Sequence, residues 1–265
     1  VNAFAKGTYL LLIVLFIKRP EDAIYVNFLF GITALIVYTV SWTIIYKNEK
    51  IKWVWVSIHN IKKRFVENFQ FFISSIAGHV SIHGGLIILA NFVNNSVLGE
   101  FALAQKIALL MRMVPVFFTQ AILQKASILF KSDKAEFKRY VNLIFIIGLS
   151  ITFAMGLIAI IFSKWIIFLL AGSQVLYSEA ILKILAFIPF LSMLNFNNMI
   201  KILVDEKKHL LTKATWVTAI FMLILATIGG YYYGGYGLSI ALVITEIVSF
   251  IVHSVLLIKN KHERA

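Results

Sequence analysis

The sequence predicts an all-α, polytopic transmembrane helix bundle, and three observations carry that expectation. Of the 265 residues, 60% are hydrophobic and only 14% charged, with a mean hydropathy of +0.89. A water-soluble domain could not cover a core that rich. The apolar residues fall in runs long enough to cross roughly 30 Å of hydrocarbon at about 1.5 Å per residue. The runs are continuous, without the period-two alternation of a barrel strand, so helices are left to satisfy the backbone in lipid.

About eight segments meet the length requirement: 3–17, 24–46, 69–92, 100–128, 139–162, 178–203, 213–230 and 238–258. The first is short. The chain opens on "VNAFAKG", with no initiating Met and no signal-peptide pattern, and reads as beginning inside a longer membrane protein. Between the second and third segments lies the longest polar interval, residues 47–68, "KNEKIKWVWVSIHNIKKRFVEN". Its Trp53, Trp55, Ile58 and Ile61 alternate with Lys52, His59, Lys62 and Lys63, as in an amphipathic linker lying on a membrane surface. It divides the chain into residues 1–46, the linker 47–68 and a six-helix part, 69–265.

The connections alternate in charge. One side carries Lys47, Lys50, Lys52, Lys62, Lys63 and Arg64, then Lys131, Lys134, Lys138 and Arg139, then Lys207, Lys208 and Lys213, and last Lys259, Lys261 and Arg264. The other carries Lys18 and Arg19 beside Glu21 and Asp22, a neutral "VNNS", a loop with Lys164, and the uncharged "YYYGGYG". The positive-inside rule places the basic loops and both ends of this chain in the cytoplasm. The net charge of +13 is therefore topological, and no nucleic-acid partner is expected.

Within the spans, polar side chains are the candidates for function, because a charge near mid-bilayer costs roughly 2.5–3.5 kcal/mol on the insertion scale. Arg112 lies about twelve residues, or roughly 18 Å, into a helix entered from outside, near the midplane. Lys106 is about half as deep, where it either faces a cavity or snorkels outward. Glu246, about eight residues into the last span, either pairs with Arg112 or takes part in ion coupling. His79 and His83, four apart on one helix face, read as packing histidines or as groups for substrate contact and protonation. Gln105, Gln120 and Gln124 share the helix of Arg112, and Asn195, Asn197 and Asn198 follow Pro189. Amides suit sugar hydroxyls but also join helices to one another. Pro115 and Pro189 each interrupt a span, as static kinks or as bending points.

Enzyme signatures are missing: the sequence has no phosphate-binding Gly loop with Lys-Ser/Thr and no metal-ligand cluster. No enzyme, cofactor or metal is expected. The longest outward interval, 163–177 or "SKWIIFLLAGSQVLY", holds one Lys and no acid, which speaks against a polysaccharide polymerase or ligase. A structural membrane subunit is disfavoured by the intramembrane charges.

The runs "SVLGEFALAQKIALLMRMVPVFFTQAI", "FLLAGSQVLYSEAILKILAFIPFLSMLNFNNMIKIL" and "GGYGLSIALVITEIVSFIVHSVLLIKNK" resemble the second half of bacterial lipid-linked oligosaccharide flippases. These are the O-antigen or Wzx-type transporters of the MOP exporter superfamily, which also holds the MATE drug exporters. The resemblance implies two six-helix lobes around a central cavity. Residues 69–265 would then be the C-terminal lobe, and residues 1–46 the last two helices of the N-terminal one. It further implies alternating access carrying a polyprenyl-diphosphate-linked oligosaccharide across the inner membrane of a bacterium, with membrane lipid and a polymerase and chain-length regulator of the same pathway as partners. Arg112 and Lys106 would neutralise the diphosphate, and the amides Gln105, Gln120, Gln124, Asn195 and Asn198 would line the cavity. Cation-coupled drug export, as in the MATE relatives, is the alternative.

Overall fold

The computed structural model describes residues 2–48 and 55–262. Lys50, Lys52 and Trp53 of the linker and Arg264 lie outside the described residues, as do the side chains of Lys208 and Lys261. Among the described residues every regular element is helical, and six helices are long and apolar enough to cross a membrane. The chain divides into two compact units, 1–62 and 63–265.

In the first unit, α1 (Asn2–Phe16) and α2 (Tyr25–Asn48) are joined by a 3₁₀ turn, Pro20–Ile24. Asp22 closes the turn. Its Oδ2 accepts the backbone N–H groups of Lys18 at 3.0 Å and Arg19 at 2.9 Å, which hold its carboxyl below the usual carboxylate range. Tyr9 and Phe30 meet edge to face at 5.3 Å between α1 and α2. Most other apolar side chains of this pair, such as Leu10, Val14, Leu35 and Ile36, are exposed, as expected of helices that face hydrocarbon.

The second unit begins within α3 (Ile58–Leu89). This helix absorbs part of the polar interval 47–68, so Ile58, Ile61, Lys62, Lys63 and Arg64 form its first turns. No Pro interrupts it, and the mid-helix glycines are tolerated at a cost of about 1 kcal/mol each. Next, α4 (Asn95–Ser132) is capped by Asn94, whose side chain accepts the Val97 N–H at 2.9 Å. A single residue, Asp133, ends α4 and caps α5 (Lys134–Ile161) by accepting the N–H groups of Ala135 and Glu136. α6 (Ser163–Ala171) is too short to cross and stops at Gly172 in the left-handed conformation.

The sixth expected span is broken into α7 (Leu176–Leu185), α8 (Ile188–Leu194) and α9 (Phe196–Val204). Pro189 lies in the first turn of α8, where its missing N–H is harmless, and Asn195 forms the joint between α8 and α9. The last two expected spans are one element, α10 (Lys208–His262), which turns at Gly234 (φ 55°, ψ −135°) into arms 208–233 and 235–262. Eight residues of straight helix would separate Gly229 and Gly237 by about 12 Å. Instead a Cβ at Gly229 would lie 2.6 Å from the Gly237 carbonyl oxygen, so the arms fold back in backbone contact.

Two apolar cores flank the middle of α4. One gathers Phe101, Ala104 and Ala108 with Ile181, Leu182, Leu185, Met222 and Leu238. The other gathers Ile122, Ala126 and Leu129 with Phe137, Met193, Phe196 and Ile200. Between them, from Leu109 to Leu123, the inner face of α4 borders a cavity.

Candidate functional site

Arg112 stands on α4 in the gap between the two cores, one residue beyond Met111, whose carbonyl has no intrahelical donor because Pro115 lacks an N–H. Its Nη2 lies 2.6 Å from Oε1 of Glu246 on the second arm of α10. Both side chains are largely buried, 26% and 11% exposed. Arg112 Nε also reaches Ser192 Oγ on α8 at 3.5 Å. One guanidinium thus ties three elements together, and its five N–H donors exceed the contacts that hold it.

The pair borders a cavity of about 530 Å³ within the second unit, walled by α3, α4, α8, α9 and both arms of α10. Arg112 and Glu246 are the charged residues that line it. Hydroxyls and amides, among them Ser81, Gln120, Ser192, Asn195 and Ser249, share the lining with apolar side chains that include Met113, Val116, Leu123, Met199 and Leu203. Val116 and Gln120 are exposed as well as lining, so the cavity opens along this side of α4. A second space of about 40 Å³, enough for water, lies against the same ion pair beside Gln105 and Thr245. With the two charges paired, the site is neutral overall. An incoming anion must share or take Arg112 from Glu246.

The remaining candidates sort by helix rotation and by partner. Gln120 and Asn195 line the larger cavity, and Gln105 the smaller. Gln105 is buried and donates to the Ile82 carbonyl at 3.3 Å, which joins α4 to α3. Asn198 donates to Ser254 Oγ at 2.8 Å and to Asn195 Oδ1 at 3.3 Å, off the cavity. Lys106 and Gln124 line neither space and are exposed. Lys106 is displaced from Arg112 by six residues, about 240° around the helix, which turns it away from the inner face. His79 and His83 stack at 6.1 Å on the exposed side of α3 and line neither space. Among the described residues no three His, Asp or Glu side chains gather as a metal site.

Several lining residues lie outside the sequence-based candidates, Ser81, Ser192 and Ser249 among them, and one further residue has an ionisable side chain. His253, 4% exposed, follows Glu246 and Ser249 at the spacing i, i+3, i+7, so the three share one face of the second arm. Its Nδ1 lies 2.7 Å from the Ser249 carbonyl oxygen and 3.3 Å from the Asn195 amide. Its Nε2 is buried without a hydrogen-bond partner. That polar stripe on an otherwise apolar span was the signal.

Residues 5–123, a little under half of the 265, match a family described as polysaccharide biosynthesis protein. The matched stretch includes α3, Arg112 and Gln120, whereas Asn195, Glu246 and His253 lie beyond it. No curated protein and no solved structure matches the chain. Together with the apolar helices, the match supports a multi-pass membrane protein of a polysaccharide biosynthesis family.

Proposed function

We propose that the chain is part of a transporter that flips a polyprenyl-diphosphate-linked oligosaccharide across a bacterial cytoplasmic membrane by alternating access. The observation that carries this reading is the Arg112–Glu246 pair set in the wall of a 530 Å³ cavity among hydroxyls and amides. Charge of this kind is expensive inside a membrane span and is normally tied to a pathway. The diphosphate binds Arg112, which remains charged and offers phosphate oxygens two parallel N–H donors. Glu246 then loses its partner. An unpaired buried carboxylate is costly, so Glu246 takes a cation or re-pairs as the anion leaves, which couples cargo movement to ion movement. The polyprenyl chain stays in lipid at the open side of the cavity. The basic connections and both ends of this chain lie in the cytoplasm. Polymerase and chain-length regulator of the same pathway are the protein partners. Transport rather than catalysis is the activity.

The test is Arg112→Ala, produced at normal abundance in cells whose surface polysaccharide depends on this protein. Loss of charge-assisted hydrogen bonds worth roughly 1.5–3 kcal/mol corresponds to a fall of about 10- to 100-fold in export. Arg112→Lys keeps the charge without the fork and restores export in part. Undiminished polysaccharide in Arg112→Ala cells defeats the reading.

A second reading rests on the apolar side chains of Met113, Val116, Leu123, Met199 and Leu203 that line the same cavity as Glu246. That combination suits an amphipathic organic cation, as in cation-coupled drug export. Export of ethidium that depends on Glu246 but not on Arg112 would favour it.

A further inference from the structure

Away from the cavity, α5 and α9 are bridged by a pair of amides on the outside of the bundle. The Asn197 amide donates to Asn142 Oδ1 at 3.5 Å, and Asn142 is exposed. Farther along α5, Gly148 meets Met193 and Gly156 meets Ala186, so α5 and the α7–α9 series run antiparallel. Arg139 stands three residues before Asn142 on α5, and Lys201 stands four residues beyond Asn197 on α9. Both are therefore displaced to the same side of the bridge, toward the α4–α5 connection, by about 4.5–6 Å. Both are exposed, and among the described residues neither has an acidic partner. Asp205, one turn beyond Lys201, is taken by Lys207 at 2.6 Å.

The depth of these groups follows from the length of α5. Its 28 residues span about 42 Å, more than the roughly 30 Å of hydrocarbon, so its first turns stand among lipid headgroups. Arg139 is at that level, and Asn142 lies one turn deeper. Asn142 accepts through its oxygen, which leaves its N–H groups free, and with both amides turned over one N–H is still spare. The groove thus offers N–H donors at two depths, two of them cationic and the deeper one neutral, beside the exposed apolar side chains of Leu143 and Ile146. An anionic diacyl phospholipid has the matching acceptors, with a charged phosphate above and ester carbonyls beneath it at the root of its acyl chains. A polyprenyl phosphate has the first and lacks the second.

We propose that Arg139, Lys201 and Asn142 form a binding site for one anionic diacyl phospholipid in the groove between α5 and α9, with the phosphate at the two cations and an ester carbonyl at the amide. The site rests on the helices crossing a membrane and is independent of what the cavity carries. Because α9 also supplies Phe196, Met199 and Leu203 to the cavity lining, a lipid held here braces one cavity wall from outside.

The experiment measures lipid binding to the purified chain in detergent by native mass spectrometry, with the shift in thermal unfolding as a second readout. The probes are dioleoyl phosphatidylglycerol, its dialkyl ether analogue, dioleoyl phosphatidylcholine and a polyprenyl phosphate. The unsubstituted protein should bind phosphatidylglycerol at least about 10-fold more tightly than phosphatidylcholine. Arg139→Gln and Lys201→Gln should each cut that preference about 5-fold, the effect of one basic residue at an anionic headgroup. Lys131→Gln removes an equal charge from the same end of the bundle and should leave the preference intact. Ester lipid should bind about 3- to 10-fold more tightly than ether lipid, the value of one net hydrogen bond, and Asn142→Leu should erase that difference. Equal losses in all three charge variants, or no preference over phosphatidylcholine, overturns the site. Ether lipid bound as tightly as ester lipid overturns the carbonyl contact and with it the choice of a diacyl lipid. Polyprenyl phosphate bound at least as tightly as phosphatidylglycerol, with the same dependence on Arg139 and Lys201, makes the groove a polyprenyl site and overturns the proposal.

Discussion

Arg112 and Glu246 hold each other at 2.6 Å with only part of each side chain exposed, so removing either strands the other beside an apolar wall. Breaking a buried pair from one side costs about 3–5 kcal/mol, and partial exposure here puts the expected loss at the lower end. Arg112→Met and Glu246→Leu should each lower thermal stability in detergent, while the double variant should be closer to the unsubstituted protein than either single one. Additive losses in that double-mutant cycle would mean that the two charges do not compensate each other. The individual charges were legible in the sequence, because a lone Arg or Glu in an apolar run has few places to go. Their pairing was legible as one of two alternatives, and the structure selects it: the hairpin of α10 brings Glu246 to the face of α4 across 134 positions of sequence. His253 escaped notice. A single histidine on an apolar span reads as packing, and its meaning depends on a Ser249 carbonyl whose direction no residue type reveals. Lys106 and Gln124 show the converse, since depth along a helix says nothing of rotation about it.

At the scale of elements, the site exists because two spans are not simple rods. The α7–α8–α9 series breaks at Asn195 and so brings Ser192 and Asn195 to the cavity, where irregular backbone is lined by protein rather than lipid. The α10 hairpin needs Gly229 and Gly237 to let its arms touch, since a Cβ at Gly237 would collide with the Gly229 carbonyl. Gly237→Ala must therefore push the arms apart and shift Glu246 relative to Arg112. Overpacking of this kind costs about 1–3 kcal/mol. Gly99→Ala, on α4 with open space around its Cα, is the control and should be neutral or slightly stabilising. Thermal unfolding of the two variants in the same detergent decides it, and equal midpoints would refute the close-contact argument. Apolar run length alone identified the positions of these spans. It also placed the connection at "YYYGGYG" and an interruption at Pro189, but not the joint at Asn195, which marks a break only once the helices around it are seen to end. Likewise the polar interval 47–68 has the composition of a surface segment, yet from Ile58 onward it is the start of α3.

For the molecule as a whole, the distribution of charge predicts an orientation, and the prediction can be tested because the sequence has no cysteine to remove. Three crossings separate the end of α4 from the tyrosine turn of α10: α5, the α7–α9 series and the arm 208–233, with α6 too short to add a fourth. Residues at those two places must therefore lie on opposite sides of the membrane. The α4–α5 connection carries Lys131 and Lys134, while Tyr231, Tyr232 and Tyr233 are uncharged and exposed, as suits an aromatic belt at a membrane interface. Introducing Ser132→Cys in one variant and Tyr232→Cys in another gives each a single thiol. In intact cells a membrane-impermeant maleimide should label the Tyr232→Cys protein at once and the Ser132→Cys protein only after permeabilisation. Reversed labelling would overturn the orientation and with it the direction of the proposed transport. Labelling of both thiols from outside would mean that three crossings do not separate them, and would refute the hairpin of α10 as two spans. The pair of single-cysteine proteins thus tests the one assumption on which the direction of the proposed transport depends, that the basic connections lie on the side from which an anion would enter.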